Sequence, residues 1–206
     1  DSFSDDSNAK ITITGGEIHV NASGDGLDSN GDIEISGGTV YVYGPTSNGN
    51  GSLDYENNAV ITGGTVIMAG SSGMAMNFGT ESTQGSILAS TGNASAGTAV
   101  KLADSSENVI AEFTPTVSFQ TVVISTPDIT SDGTYTLTVG DSKQEITMSG
   151  YIYGSGMGGG FGGGQHGGNG GFGGGNRPGG NNHGGFAGGN PPDMNGGQNG
   201  NTTANV

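Results

Sequence analysis

Three aspartates recur at one place in a repeated pattern. Asp6, Asp28 and Asp54 each stand ten residues before the second glycine of a Gly-Gly pair, the pairs lying at 15-16, 37-38 and 63-64. Their surroundings read S-D-D-S-N, G-L-D-S-N-G-D and S-L-D-Y-E-N-N, so that Asn8, Asn30 and Glu56 form a second polar column, followed by Asp32 and Asn58. If strands carrying these residues stack at about 4.8 Å, neighbouring carboxylates repel by roughly 1 kcal/mol each even in bulk water. They would then raise one another's pKa unless a cation sits among them. Ca²⁺ takes about six to eight oxygens from carboxylates, amides and backbone. The segment G-D-G-L-D-S-N-G-D, with Asp25, Asp28, Asn30 and Asp32, offers several within one turn. It is not an EF-hand, because the loop glycine and the closing glutamate are out of place and the flanks read as strands. The other reading stays open: Asp, Asn and Gly are ordinary turn formers, and a ladder of them can serve backbone N–H groups alone.

The elements that would position this ladder follow from the same register. I-T-I-T-G-G-E-I-H-V, I-E-I-S-G-G-T-V-Y-V and V-I-T-G-G-T-V-I-M-A recur at spacings of 22 and 26 residues. Each reads as strand, Gly-Gly corner, strand, alternating with period two on both sides. Superposed on the glycines, Ile11, Ile33 and Ala59 are equivalent, as are Ile13, Ile35 and Ile61, then Ile18, Val40 and Val66, then Val20, Val42 and Met68. No unit of this length buries its own apolar face, so the units are expected to stack. The expectation is all-β: a right-handed parallel β-helix, or solenoid, of three to four coils over residues 1–97.

Residues 98–150 change rhythm. The short strands T-A-V-K-L-A, N-V-I-A-E-F, F-Q-T-V-V-I-S, T-Y-T-L-T-V and Q-E-I-T-M are joined by turn signals and predict an antiparallel β cap closing the end of the solenoid. Residues 151–206 form a Gly-rich tail with little to bury, holding 24 of the 45 glycines. Order in such a tail would need dense backbone hydrogen bonding or burial between subunits, with Phe161, Phe172 and Phe186 as anchors.

Composition narrows the partners. Nineteen acids against four bases give a net charge of −15, with neither Cys nor Trp. That charge repels phosphates, so nucleic acid is not expected. No apolar run of 18 residues exists, so membrane insertion is not expected either. The opening at Asp1, without Met or leader, fits a processed or excised product.

The motifs D-G-L-D-S-N-G, G-P-T-S-N-G-N-G and L-D-Y occur in that order. They are followed by G-T-A-V-K-L-A-D-S-S-E-N-V-I-A-E-F-T-P, Q-T-V-V-I-S-T-P-D-I and G-T-Y-T-L-T-V-G. Over about residues 10–140 the chain resembles the C-terminal coils of a secreted bacterial family of carbohydrate-binding domain-containing proteins. That resemblance implies a parallel β-helix that binds calcium and attaches to cellulose or polygalacturonate-type polysaccharide outside the cell or at its surface. It also implies Asp25, Asp28, Asn30, Asp32 and Asp54 as calcium ligands, to which the ladder adds Asp6 and Glu56. For a sugar the usable aromatics are Tyr41 and Tyr43, which flank the inward Val42, and His19, one coil earlier in the Tyr41 column. Cross-strand packing would explain outward tyrosines equally well.

A lyase would need a basic group near the metal, and Lys10, Lys101, Lys143 and Arg177 are not adjacent to the D-G-L-D-S-N segment. A glycosidase carboxylate pair at Asp25 and Asp28 lacks an accompanying His or Arg, so no enzyme is expected. Finally, Ile11 and Ile13 have no coil above them, leaving an edge that could pair with another copy. That open edge and the tail motivate a second expectation, a self-assembling subunit of an extracellular filament.

Overall fold

The computed structural model describes residues 8–154 and 156. Asp6, Phe161, Phe172, Phe186 and the Gly-rich tail beyond these lie outside the described residues. The strands, in chain order, are β1 (Lys10–Asn21), β2 (Leu27–Ser29), β3 (Asp32–Tyr43), β4 (Leu53–Tyr55), β5 (Ala59–Gly70) and β6 (Ser86–Ala94). They continue as β7 (Val100–Asp104), β8 (Val109–Phe113), β9 (Phe119–Ser125), β10 (Thr134–Val139), β11 (Ser142–Thr147) and β12 (Ile152–Tyr153).

The repeat register is seen residue for residue. β1, β3 and β5 run parallel, pairing Ile11 with Ile33 and Ile33 with Ala59, and likewise Val20 with Val42 and Val42 with Met68. Each strand breaks register at its glycine pair. Gly38 and Gly64 take φ of +88° and +92° there, and a Cβ on Gly38 would lie 2.8 Å from the Gly15 carbonyl carbon. Only glycine serves where positive φ and close backbone stacking coincide. β2 and β4 form their own parallel ladder. Leu27 and Leu53 of that ladder, Ile33, Ile35, Ile61, Val40, Val42, Val66 and Met68 close one core, each nearly or fully buried.

The expected right-handed parallel β-helix of three to four coils is not what forms: the architecture is all-β with mixed sheets, parallel in part and antiparallel in part. The large sheet has the order β1-β3-β5-β9-β6-β12, and β9 runs antiparallel to both its neighbours. The reason lies in residues after Gly70. The alternating unit with its Gly-Gly corner is not repeated, so no fourth parallel strand follows β5; β9 returns instead and fills the slot, pairing Ile124 with Ile67 on one side and Ile87 on the other.

The cap is corrected in the same way. β7, β8, β10 and β11 do form an antiparallel sheet, of order β11-β10-β7-β8, but F-Q-T-V-V-I-S belongs to the large sheet. Nor does the small sheet merely close an end. Its Val100, Leu102, Leu137 and Ile146 pack with Ile67, Ala69, Ile87, Val122 and Ile124 in a second core. β5 carries the unbroken apolar run Val66, Ile67, Met68, Ala69, whose alternate residues serve the two cores. A strand covered on both faces reads in that continuous way. Residues 152–153, grouped by sequence with the tail, pair with Ser86 and Ile87. They are held by buried Asn77, whose Nδ2 donates to the Tyr153 carbonyl at 2.8 Å.

Candidate functional site

The acidic row is built by the β2–β4 ladder. Leu27 and Ser29 are buried, so alternation turns Asp28, between them, to solvent, and Asp28 pairs directly with Asp54 across the ladder. β4 continues into an exposed Glu56, whose N–H donates to the Ser29 carbonyl at 3.1 Å. Asp25 lies just ahead of β2, half-buried, with Oδ1 accepting from Gly51 N–H at 2.7 Å. The backbone-serving reading therefore holds at Asp25.

Burial, first, and then the charges of Asp25 and Asp28 push the Asp54 carboxyl above the ordinary Asp value, with a smaller push from Glu56; a backbone hydrogen bond at Tyr55 opposes them. The ion pairs of the described residues are Lys10 with Glu34 and His19 with Glu17, neither on this row. Its donors are all oxygens, the chemistry that suits a hard cation such as Ca²⁺. As the side chains lie, no three His, Asp or Glu among the described residues are grouped closely enough to hold a metal, so a cation here would draw on carbonyls and water as well.

Asn30 and Asp32 stand differently. Asn30 follows the end of β2, and Asp32 opens β3 opposite Lys10, with its N–H donating to the Ala9 carbonyl at 3.0 Å. The structure thus brings together Asp25, Asp28, Asp54 and Glu56, and sets Asp32 on the neighbouring sheet.

The aromatic row is present on the outer face of β1 and β3. His19 stacks on Tyr41 with ring centroids 4.8 Å apart and planes 17° from parallel; Tyr41 and Tyr43 are tilted at 6.4 Å. His19 is exposed and contacts Glu17 at 2.7 Å, while both tyrosines are half-buried against the second core. Burial chiefly, and Tyr41 next, raise the Tyr43 pKa. The tyrosines therefore share their surface between packing and solvent.

At the edge, Ile11 is half-buried and Ile13 is 7% exposed, against 0% and 1% for their partners Ile33 and Ile35. β1 has no further partner strand among the described residues.

One feature was not foreseen from sequence: an open groove of about 350 Å³, lined by Tyr151, Gln84 and residues of the β9–β10 connection. Tyr151 reads in sequence as the start of the tail, and no motif or spacing singles out Gln84. Only the exposed aromatic after a turn glycine, S-G-Y-I-Y, hinted at it.

No protein-family model matches the chain, and no curated protein or solved structure matches it either.

Proposed function

We propose that the chain is a calcium-dependent, extracellular polysaccharide-binding module rather than an enzyme. The observation that carries this reading is the Asp28–Asp54 pair, facing each other across the ladder with Asp25 and Glu56 adding negative charge to the same carboxyl. Calcium would be held by the Asp28 and Asp54 carboxylates together with backbone carbonyls and water, with Glu56 adding charge beside them and Asp25 supporting the turn, and would supply a positive centre through which uronate carboxylates could approach a chain of −15. Lys10, the basic side chain nearest in sequence to the row, is engaged by Glu34. The resemblance of residues 10–140 to secreted carbohydrate-binding domain-containing proteins supports the same ligand class.

Thermal unfolding tests the metal. Calcium at about a hundred times its Kd stabilises by about 2.7 kcal/mol, which for a domain of this size raises the midpoint by roughly 5–10 °C. Sodium chloride of matched ionic strength should give much less, and the Asp28→Asn, Asp54→Asn double variant should lose the calcium increment. Sedimentation with polygalacturonate, with and without EDTA, tests the ligand. A midpoint indifferent to millimolar calcium would overturn the reading.

A second reading, the subunit of an extracellular filament, is favoured by β1 alone. Its outer edge lacks a partner strand among the described residues, and Ile11, Ile18 and Val20 are only half covered. Negative-stain microscopy of the purified chain distinguishes fibres from dispersed particles.

A further inference from the structure

The groove outside the acidic row has a different chemistry. It opens where the bend of β5, the segment before β6, the β9–β10 connection and the approach to β12 meet. None of the residues that line it is charged, in a chain with 19 acids. Its wall carries one large exposed aromatic, Tyr151, 42% exposed.

Tyr151 is nevertheless fixed at its backbone. Its carbonyl accepts from Ser86 N–H at 2.7 Å, and the preceding Gly150 N–H donates to the Ser131 carbonyl at 2.7 Å. The opposite wall is equally set: the Tyr135 hydroxyl accepts from Thr130 N–H at 2.7 Å and donates to the Asp128 carbonyl at 3.1 Å. Ile129 sits so closely over Gly85 that a Cβ there would collide with its Cγ2 and carbonyl oxygen. An aromatic ring held open to water on a rigid frame loses little freedom when a ligand covers it.

The floor carries an unused acceptor. Gln84 is 93% buried, being 7% exposed. Its Nε2 donates to the Gly64 carbonyl at 3.0 Å and to Ser125 Oγ at 2.8 Å. Its Oε1 receives no hydrogen bond from the described residues, yet no buried side-chain oxygen among them lacks a partner. Oε1 is therefore not sealed off from solvent, and Gln84 is one of the residues that line the groove. Around it, the hydroxyls of Thr62, Thr83 and Ser131 make no hydrogen bond within the described chain.

We infer that this groove binds a sugar unit of a neutral glycan, independently of calcium. A hexopyranose with equatorial hydroxyls presents a flat C–H face, which lies on the Tyr151 ring as apolar surface on apolar surface. Its edge hydroxyls donate to Gln84 Oε1 and exchange hydrogen bonds with Thr83 and Thr62. The hollow is at the small end of the roughly 300–1,000 Å³ typical of ligand sites, enough for one or two rings. Anionic sugars are disfavoured, since no basic side chain lines the groove to meet the carboxylate. Purely apolar ligands would leave the floor acceptor without a donor.

The inference rests on the polysaccharide-binding reading but assigns a separate site, so the two fail separately. Cellohexaose is titrated calorimetrically into the full chain in EDTA. Saturable binding is expected, weakened roughly tenfold or more by Tyr151→Ala and kept within about twofold by Tyr151→Phe. Thr83→Val should also weaken it, which guards against Tyr151→Ala acting through folding, and matching unfolding midpoints check both variants. Asp28→Asn with Asp54→Asn should leave this binding unchanged while abolishing calcium-dependent retention on polygalacturonate. Absence of cellohexaose binding at millimolar concentration overturns the groove assignment, as does binding that Tyr151→Ala leaves intact or that Tyr41→Ala removes instead.

Discussion

Asp54 is the residue on which the acidic row turns. Its folded-state pKa lies above the ordinary Asp value, through burial first and the charges of Asp25 and Asp28 next. The unfolded chain releases that proton at the ordinary, lower value. Between the two values the folded protein holds a proton the unfolded one does not, so lowering pH through this window stabilises the fold, and ionised Asp54 costs stability at neutral pH. In EDTA, Asp54→Asn should therefore raise the unfolding midpoint at pH 7 and flatten the acid side of the profile; with calcium the same change should lower the midpoint. Thermal melts between pH 3 and 7, with and without calcium, read both signs. Asp104 works in the opposite sense. Hydrogen bonds from the Asn108 side chain and backbone, and from Ser106 N–H, hold its carboxyl below the ordinary value, so its contribution is present above that value and fades as pH falls through the depressed one. At this scale the site was half legible. The Asp28–Asp54 pairing follows from spacing, because the glycine corners set a register that fixes what stands opposite what. Asp32 stands apart from the row because one turn, Asn30-Gly31, carries the chain from the β2 ladder to the start of β3.

The glycine corners are the element-scale device, and they separate two costs. Gly16 and Gly38 both have positive φ, +85° and +88°, but a Cβ on Gly16 meets nothing within 4 Å whereas one on Gly38 meets the backbone of Gly15 and Gly16 at 2.8–2.9 Å. Gly16→Ala should therefore cost only the conformational penalty, about 1–2 kcal/mol. Gly38→Ala adds a clash between stacked strands and should cost at least about 1–3 kcal/mol more. Urea titrations of the two variants test the difference; equal losses would mean that the strands separate freely at the corner. The corner strands were legible because Ile11 to Val20 alternates cleanly. β5 breaks that alternation with Val66 to Ala69, which marks a strand covered on both faces, although its Gly-Gly corner alone predicts a further coil. What covers it, the sheet of β7, β8, β10 and β11, lies between 30 and 80 residues downstream, beyond the reach of any local pattern.

At the scale of the molecule the large sheet is completed out of order. β9 lies between β5 and β6, so both candidate sites are assembled at different times of the chain's life: the acidic row from residues up to Glu56, the groove only after Pro127 and Tyr151 are in place. That is why no sequence pattern outlines the groove beyond the hint of Tyr151, since it is made of four segments with no shared spacing. The same ordering reaches into synthesis. At roughly 5–20 residues per second, the stretch from Gly70 to Phe119 keeps the edge of β5 waiting for several seconds, with Val66 to Ala69 uncovered on the side that β9 will take. A nascent chain in that state is a template for strand pairing with its neighbours on a polysome. A product ending at residue 118 should accordingly scatter light and seed association at concentrations where the full chain, its β9 in place, scatters far less. Chaperone binding during translation should peak before residue 125 leaves the ribosome. The inserted strand thus makes the vulnerable period of this protein a property of its topology, lasting until one seven-residue strand arrives.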